Sequence, residues 1–117
     1  MPIKSIPVVF ADGRTRHLRY DFNAFCTLEE ILNLPIVNFG KKLGKRMALK
    51  ELRAVLYAGL IHEEPELTLK EAGELLEGAI EKGQMEKVGA AITEAFNNSF
   101  GTDETGELKN ENEPERK

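Results

Sequence analysis

The sequence predicts an α+β fold that is mainly α: an N-terminal β-hairpin, four short helices and a disordered acidic C-terminal tail. Three observations support this prediction. Large apolar residues occupy alternate positions on both sides of an early Asp-Gly pair, they recur at helical spacing from residue 22 onward, and they almost vanish after residue 101. We therefore expect a single compact domain over residues 1–101 and a tail over 102–117.

The hairpin is expected over residues 3–20, around the Asp-Gly turn signal. A two-residue loop would turn part of the apolar set to the wrong face, because a slip of one residue inverts every side chain. A three-residue loop, 11–13, instead pairs Ile6 with Leu18. It also places Gly13 in the left-handed conformation that glycine adopts at little cost. We favour the three-residue loop.

Apolar spacing with start and stop signals predicts helices over about 22–33, 45–61, 68–82 and 84–97. Asp21 is placed to cap the first helix, and Thr68 with Glu71 three positions later forms a capping box at the start of the third. Asn97 and the residues after it are expected to end the fourth helix. The connector over 34–44 is rich in apolar residues and is expected to pack onto the domain.

The second and third helices each carry a continuous apolar face, which we expect to be buried in part or to bind a partner. In the second helix this stripe is Leu49, Leu52, Val55 or Leu56, and Leu60. In the third helix the predicted buried face is Leu69, Ala72, Leu75, Leu76, Ala79 and Ile80.

Composition excludes several classes of protein. The tail holds six acidic and three basic residues, which accounts for −3 of the net charge of −4, so the predicted domain is nearly neutral. The single cysteine, Cys26, excludes an intramolecular disulfide and a multi-cysteine zinc site. The N-terminus lacks a secretory signal pattern and the chain lacks a long apolar run, so a cytoplasmic location without membrane insertion is expected.

Few residues are candidates for chemistry. His17 is expected on a solvated strand face, and His62 near the end of the second helix, where a histidine interacts favourably with the helix dipole. A hydrolase built on His62 with Glu63 and Glu64 is the weakest alternative, and Cys26 is expected in the core. We predict no catalytic, cofactor-binding or metal-binding residue, and hence no enzyme and no cofactor.

A basic segment offers an alternative function. Lysine and arginine concentrate over residues 41–53, and phosphate contacts come from such clusters. Its members are Lys41, Lys42, Lys45, Arg46, Lys50 and Arg53. A small nucleic-acid-binding regulator is therefore the alternative hypothesis. The acidic net charge and the lack of an obvious recognition helix make it the less favoured one.

Residues 52–69, LRAVLYAGLIHEEPELTL, carry a resemblance to a family. They resemble the pattern LRxLLYAGLxHEDPxLT of small tail-assembly chaperones of siphophages and of related prophage and gene-transfer elements, with Glu64 where aspartate is usual. The Asp-Gly hairpin and residues 20–30, YDFNAFCTLEE, are similar to the N-terminal half of that family. The resemblance covers roughly residues 5–80.

This resemblance implies a protein made in the cytoplasm of a bacterial host and absent from the mature virion. It would bind the phage tape-measure protein, keep it soluble and recruit the tail-tube protein, and a frameshifted longer form exists in many relatives. Self-association is left open. The second and third helices are the expected partner-binding elements, because an amphipathic helix can pair with a client helix. The residues expected to bind are Leu56, Tyr57, Leu60, Leu69, Leu75 and Leu76.

Overall fold

A two-stranded antiparallel sheet precedes four helices, which confirms the predicted fold class. The computed structural model describes residues 5–33, Pro35 and residues 47–100. The strands are β1 (Ile6–Val9) and β2 (Thr15–Leu18), and the helices are α1 (Phe22–Leu32), α2 (Leu49–Leu60), α3 (Leu69–Glu81) and α4 (Met85–Phe100). Most of the predicted connector and the whole predicted tail lie outside the described residues.

The hairpin has the predicted three-residue loop. Ile6 pairs with Leu18, and the Phe10 N–H donates to the Arg14 carbonyl oxygen at 3.1 Å. Gly13 has a φ of +86°, in the left-handed region that favours glycine. This register directs the large apolar side chains of both strands towards the helices, so the register prediction is confirmed.

Both ends of α1 are capped. The Asp21 carboxylate accepts a hydrogen bond from the Ala24 N–H at 2.8 Å, as the sequence predicts. Asn33 adopts the left-handed conformation after the last turn, and its N–H donates to the Glu29 carbonyl oxygen at 2.7 Å. The helix therefore ends at Leu32, one residue before the predicted limit.

The start of α2 differs from the prediction. We expected the helix from residue 45, but Ala48 is extended, with φ −67° and ψ 152°, and the helix begins at Leu49. The Glu51 carboxylate accepts a hydrogen bond from the Ala48 N–H at 2.9 Å, which is one half of a capping box. Alanine has no polar side chain to supply the other half. The predicted start at residue 45 lies four residues before Leu49, the first position of the apolar stripe and the first residue of the helix.

The helices α3 and α4 form a hairpin around Gly83, whose φ is +69°. The predicted capping box is present: Thr68 Oγ accepts from the Glu71 N–H at 3.1 Å, and the Glu71 carboxylate accepts from the Thr68 N–H at 3.0 Å. At its other end α4 runs to residue 100, three residues beyond the predicted end at Asn97. In this last part of α4 the Ser99 hydroxyl donates to the Ala95 carbonyl oxygen at 3.2 Å.

The core lies between the inner face of the hairpin and the four helices. Its centre is an aromatic cluster in which Tyr20 contacts Phe25 and Phe96, with ring centroids 5.9 and 5.1 Å away. Among the described residues the largest fully buried side chain is Tyr20. Its hydroxyl is satisfied by the Val55 carbonyl oxygen at 2.7 Å, which allows a polar atom in this position.

Candidate partner-binding surface

The turn after α2 binds the outer edge of β2. The Glu63 carboxylate accepts the His17 N–H at 2.9 Å, and His62 Nε2 lies 2.6 Å from the His17 carbonyl oxygen. Because a carbonyl oxygen only accepts, His62 Nε2 carries the proton. Two residues after His17, just past the end of β2, the Arg19 N–H donates to the Gly59 carbonyl oxygen at 3.0 Å. These groups satisfy backbone atoms of an edge strand much as a third strand would.

The side chain of His17 takes part in the same contact. Its Nδ1 lies 2.8 Å from a Glu63 carboxylate oxygen, and the two side chains are 41% and 38% exposed. Burial raises the pKa of Glu63, but the hydrogen bonds from the His17 N–H and ring, and the charges of His17 and His62, lower that pKa on balance. His17 is thus on a partly solvated face, as predicted, but it is also bonded to the turn after α2.

A second set of charges joins the hairpin loop to the same turn. Arg14 Nη2 lies 2.7 Å from the Glu64 carboxylate, and Arg16 lies between Glu64 and Asp12. Arg16 Nε is 3.3 Å from Glu64 Oε2, an ion-pair distance without the alignment of a hydrogen bond. The hydrogen bond from Arg16 is the main reason why the pKa of Asp12 is below its usual value.

The burial of Arg16 was not predicted. Its side chain is 7% exposed, and its guanidinium carbon lies 5.2 Å from the centre of the Phe10 ring. The alternation of the strand could have predicted this burial, because Arg16 and Leu18 share a face of β2 and both are buried.

Gly59 allows the hairpin to approach α2 closely. A Cβ at this position would lie 2.7 Å from the Tyr20 ring and hydroxyl and 2.8 Å from Leu18 Cδ2. The run over 52–69 that resembles the chaperone family therefore contains residues that hold the hairpin against α2 and the turn after it, among them Gly59, His62, Glu63 and Glu64.

These contacts bear on the hydrolase hypothesis. His62, Glu63 and Glu64 all bond to the hairpin, so a reacting substrate would have to displace structural contacts. Within the described part of the chain, no group of three or more His, Cys, Asp or Glu side chains is arranged to hold a metal ion. Cys26, expected in the core, is only partly buried.

The six residues predicted to bind a partner are divided between the core and its margin. Tyr57, Leu69 and Leu75 are half-buried, whereas Leu56 and Leu60 are fully buried and Leu76 is 6% exposed. Leu56 and Leu60 are not available to a partner in the folded domain, because they are fully buried, whereas Leu76 is nearly buried and exposes only its edge between the two helices. The candidate partner-binding surface therefore lies on the solvent-exposed side of α2 and α3, and not on their buried faces.

That surface is an apolar groove between α2 and α3, which we call the α2–α3 groove. Leu49 is 77% exposed at one end of it and Ile80 is 59% exposed beside it, although Ile80 was expected on the buried face of α3. The groove encloses about 390 Å³. It is lined by Leu49, Lys50, Leu52, Arg53, Gly73, Leu76, Glu77 and Ile80.

The basic segment proposed for nucleic acid is only partly described. Lys41, Lys42, Lys45 and Arg46 lie outside the described residues. Lys50 and Arg53 are exposed on α2, where they form one rim of the α2–α3 groove. Two cations beside an apolar groove do not favour a phosphate backbone over a protein partner, so nucleic-acid binding stays a prediction.

Comparison with protein-family models, curated proteins and solved structures finds no match to this chain. None of the helices in the described residues is long and apolar enough to cross a membrane.

Proposed function

We propose that this protein is a phage tail-assembly chaperone that acts by binding and not by catalysis. It would bind the tape-measure protein in the cytoplasm of the bacterial host, keep it soluble and help to recruit tail-tube subunits, and it would leave before the virion is finished. The observation that carries this proposal is the α2–α3 groove, with Leu49 and Ile80 exposed at its edge.

The shape of the groove suits a helical client. It lies between α2 and α3, helices of 12 and 13 residues, so a third helix laid along it would complete a three-helix packing. Its volume of about 390 Å³ falls within the range of roughly 300–1,000 Å³ typical of binding pockets. Each such contact would be weak, but many copies bound along one long client gain avidity.

The resemblance over residues 52–69 is the second support. In this chain those residues include the C-terminal part of α2 and the turn that binds β2, so they position α3 relative to α2. Only Leu52 and Arg53 of that run line the groove itself. The resemblance thus relates mainly to the scaffold, and the groove is the part that would contact the client.

Co-expression with a tape-measure protein tests the proposal. The partner is the long, helix-rich protein encoded beside this one, and its soluble fraction is measured with and without this chain. We expect it to be soluble only in the presence of this protein. Replacing Leu49 and Ile80 by Ser should abolish that effect, since it removes the exposed apolar side chains of the groove.

A matched control is Phe22→Ser, because Phe22 is an equally exposed apolar side chain, at 79%, that does not line the groove. It should leave client solubility unchanged. The proposal fails if the neighbouring genes encode no tape-measure-like protein, if that protein stays insoluble in all combinations, or if the control and the groove variant have the same effect.

A further inference from the structure

The two rims of the α2–α3 groove carry opposite charges. Lys50 and Arg53 lie along the α2 rim, and Glu77 lies along the α3 rim. All three side chains are exposed, and none of them forms an ion pair with another residue in 5–33 or 47–100. An apolar floor flanked by one basic and one acidic rim can bind a surface with the same three features in the opposite order.

The charged residues of the two rims lie at nearly the same level along the helix axes. Arg53 lies beside Gly73, since a Cβ on Gly73 would be 3.3 Å from Arg53 Cδ. The start of α2 at Leu49 and the end of α3 at Ile80 line the same groove, so the two helices run in opposite directions along it. Four residues back along α2 and four forward along α3 therefore bring Leu49 level with Glu77. Lys50 is therefore within one residue, about 1.5 Å along the axis, of the level of Glu77.

We infer that this face is an interface between two copies of the chain. Two-fold symmetry allows two ways to join it to itself, with the axis either across the helices or along them. An axis across the helices would place α2 on its own counterpart and bring Lys50 and Arg53 against the same cations. An axis along the helices places α2 on the partner's α3, which pairs these cations with Glu77 of the partner subunit. The charges select the second arrangement.

The apolar residues fit that arrangement as well. An axis along the helices preserves the level of every residue, so Leu49 of one copy meets the end of α3 that holds Ile80 of the partner subunit. The two residues with 77% and 59% of their surface exposed would then be covered on both copies. Four antiparallel neighbours, α2 and α3 of each copy, form a small bundle around the two-fold axis.

This dimer does not depend on the proposed client. It does cover the groove that the client would occupy, so a second copy and a client helix would compete for one surface. In that case the exposed apolar residues are protected whenever no client is present.

Charge reversal gives a specific test. Lys50→Glu with Arg53→Glu makes both rims acidic, and Glu77→Lys makes both rims basic. Sedimentation equilibrium of the full chain at low ionic strength measures self-association. The unmodified chain should dimerise, and each variant alone should have a dissociation constant raised about tenfold or more, which is about 1.4 kcal/mol. An equimolar mixture of the two variants should form a heterodimer, because each acidic rim then faces a basic one.

Two further variants complete the design. The triple variant K50E/R53E/E77K exchanges the rims and should dimerise like the unmodified chain. Lys82→Glu with Lys87→Glu makes the same charge change at exposed positions outside the groove, and it should neither weaken the dimer nor pair with Glu77→Lys. Circular dichroism confirms that each variant is folded.

Three results would overturn the inference. The unmodified chain could remain monomeric over the accessible concentrations, the single-rim variants could dimerise as it does, or their mixture could fail to associate. The first result leaves the chaperone proposal standing if the co-expressed client is still kept soluble, so the two proposals can fail separately.

Discussion

His62 Nε2 donates a hydrogen bond to the main-chain carbonyl oxygen of His17 at 2.6 Å, across 45 residues of sequence. With the Glu63 carboxylate on the His17 N–H, this bond ties the turn after α2 to the free edge of a two-stranded sheet. An isolated hairpin is only marginally stable in water. The turn after α2 and the apolar core together hold the hairpin in place.

We expect the domain to lose stability at acidic pH, because this contact and the hairpin loop each contain a carboxylate with a lowered pKa. The pKa values of Asp12 and Glu63 are lowered in the folded chain from 3.8 and 4.5. A lowered folded pKa stabilises the protein above the unfolded value, and that contribution is lost as the pH falls through the folded pKa. Urea unfolding from about pH 7 to about pH 3 should show this loss.

The double variant Asp12→Asn, Glu63→Gln is the control for that prediction. It should be less stable than the unmodified chain at neutral pH, by about 1 kcal/mol because both groups are partly exposed. Its unfolding free energy should also vary less between neutral and acid pH. An unchanged pH dependence would show that these two carboxylates are not its source.

Gly59→Ala should destabilise the domain by about 2 kcal/mol or more, because the added Cβ would lie 2.7 Å from the Tyr20 ring. Gly89→Ala is the matched control, since Gly89 is also helical but has no atom within 4 Å of such a Cβ. It should stabilise by about 0.5–1 kcal/mol. Thermal and chemical unfolding measure both, and equal effects would mean that Tyr20 does not pack against Gly59.

Tyr20→Phe should cost about 1–2 kcal/mol, because it removes the buried hydroxyl that donates to the Val55 carbonyl oxygen at 2.7 Å. Burial also raises the pKa of the Tyr20 phenol, so its absorbance should not titrate in the folded chain where a free tyrosine does. Tyr57→Phe is the comparison. Tyr57 is half-buried, and its hydroxyl makes no hydrogen bond within the described part of the chain, so we expect a change within about 0.5 kcal/mol.

The helix caps predict effects of opposite sign. Thr68→Ala removes the side-chain cap of α3 and should destabilise the chain by about 1 kcal/mol. Ala48→Ser supplies the hydroxyl that the N-cap of α2 lacks, so the free energy of unfolding should rise by about 0.5–1 kcal/mol. Guanidinium unfolding measures both. A loss of stability in Ala48→Ser would contradict the extended conformation of Ala48.

Local signals were sufficient for much of the fold. The Asp-Gly pair and the alternation around it determine the three-residue loop and the pairing of Ile6 with Leu18. Asp21 and Thr68 mark the starts of two helices, because capping depends on residues three positions apart at most. The limits of α2 and α4 were less accurate, since an apolar stripe gives the face of a helix and not its ends.

The sequence by itself determined the order, the type and the apolar faces of the elements, because those depend on contacts between near neighbours. Only the tertiary structure decided which part of each face is covered: Leu56, Leu60 and Leu76 are in the core, whereas Leu49 and Ile80 lie in the open. It also gave His62, Glu63 and Arg16 partners on other elements. Burial and long-range bonds depend on how elements far apart in the chain meet. The spacing of apolar residues along the sequence does not contain that information.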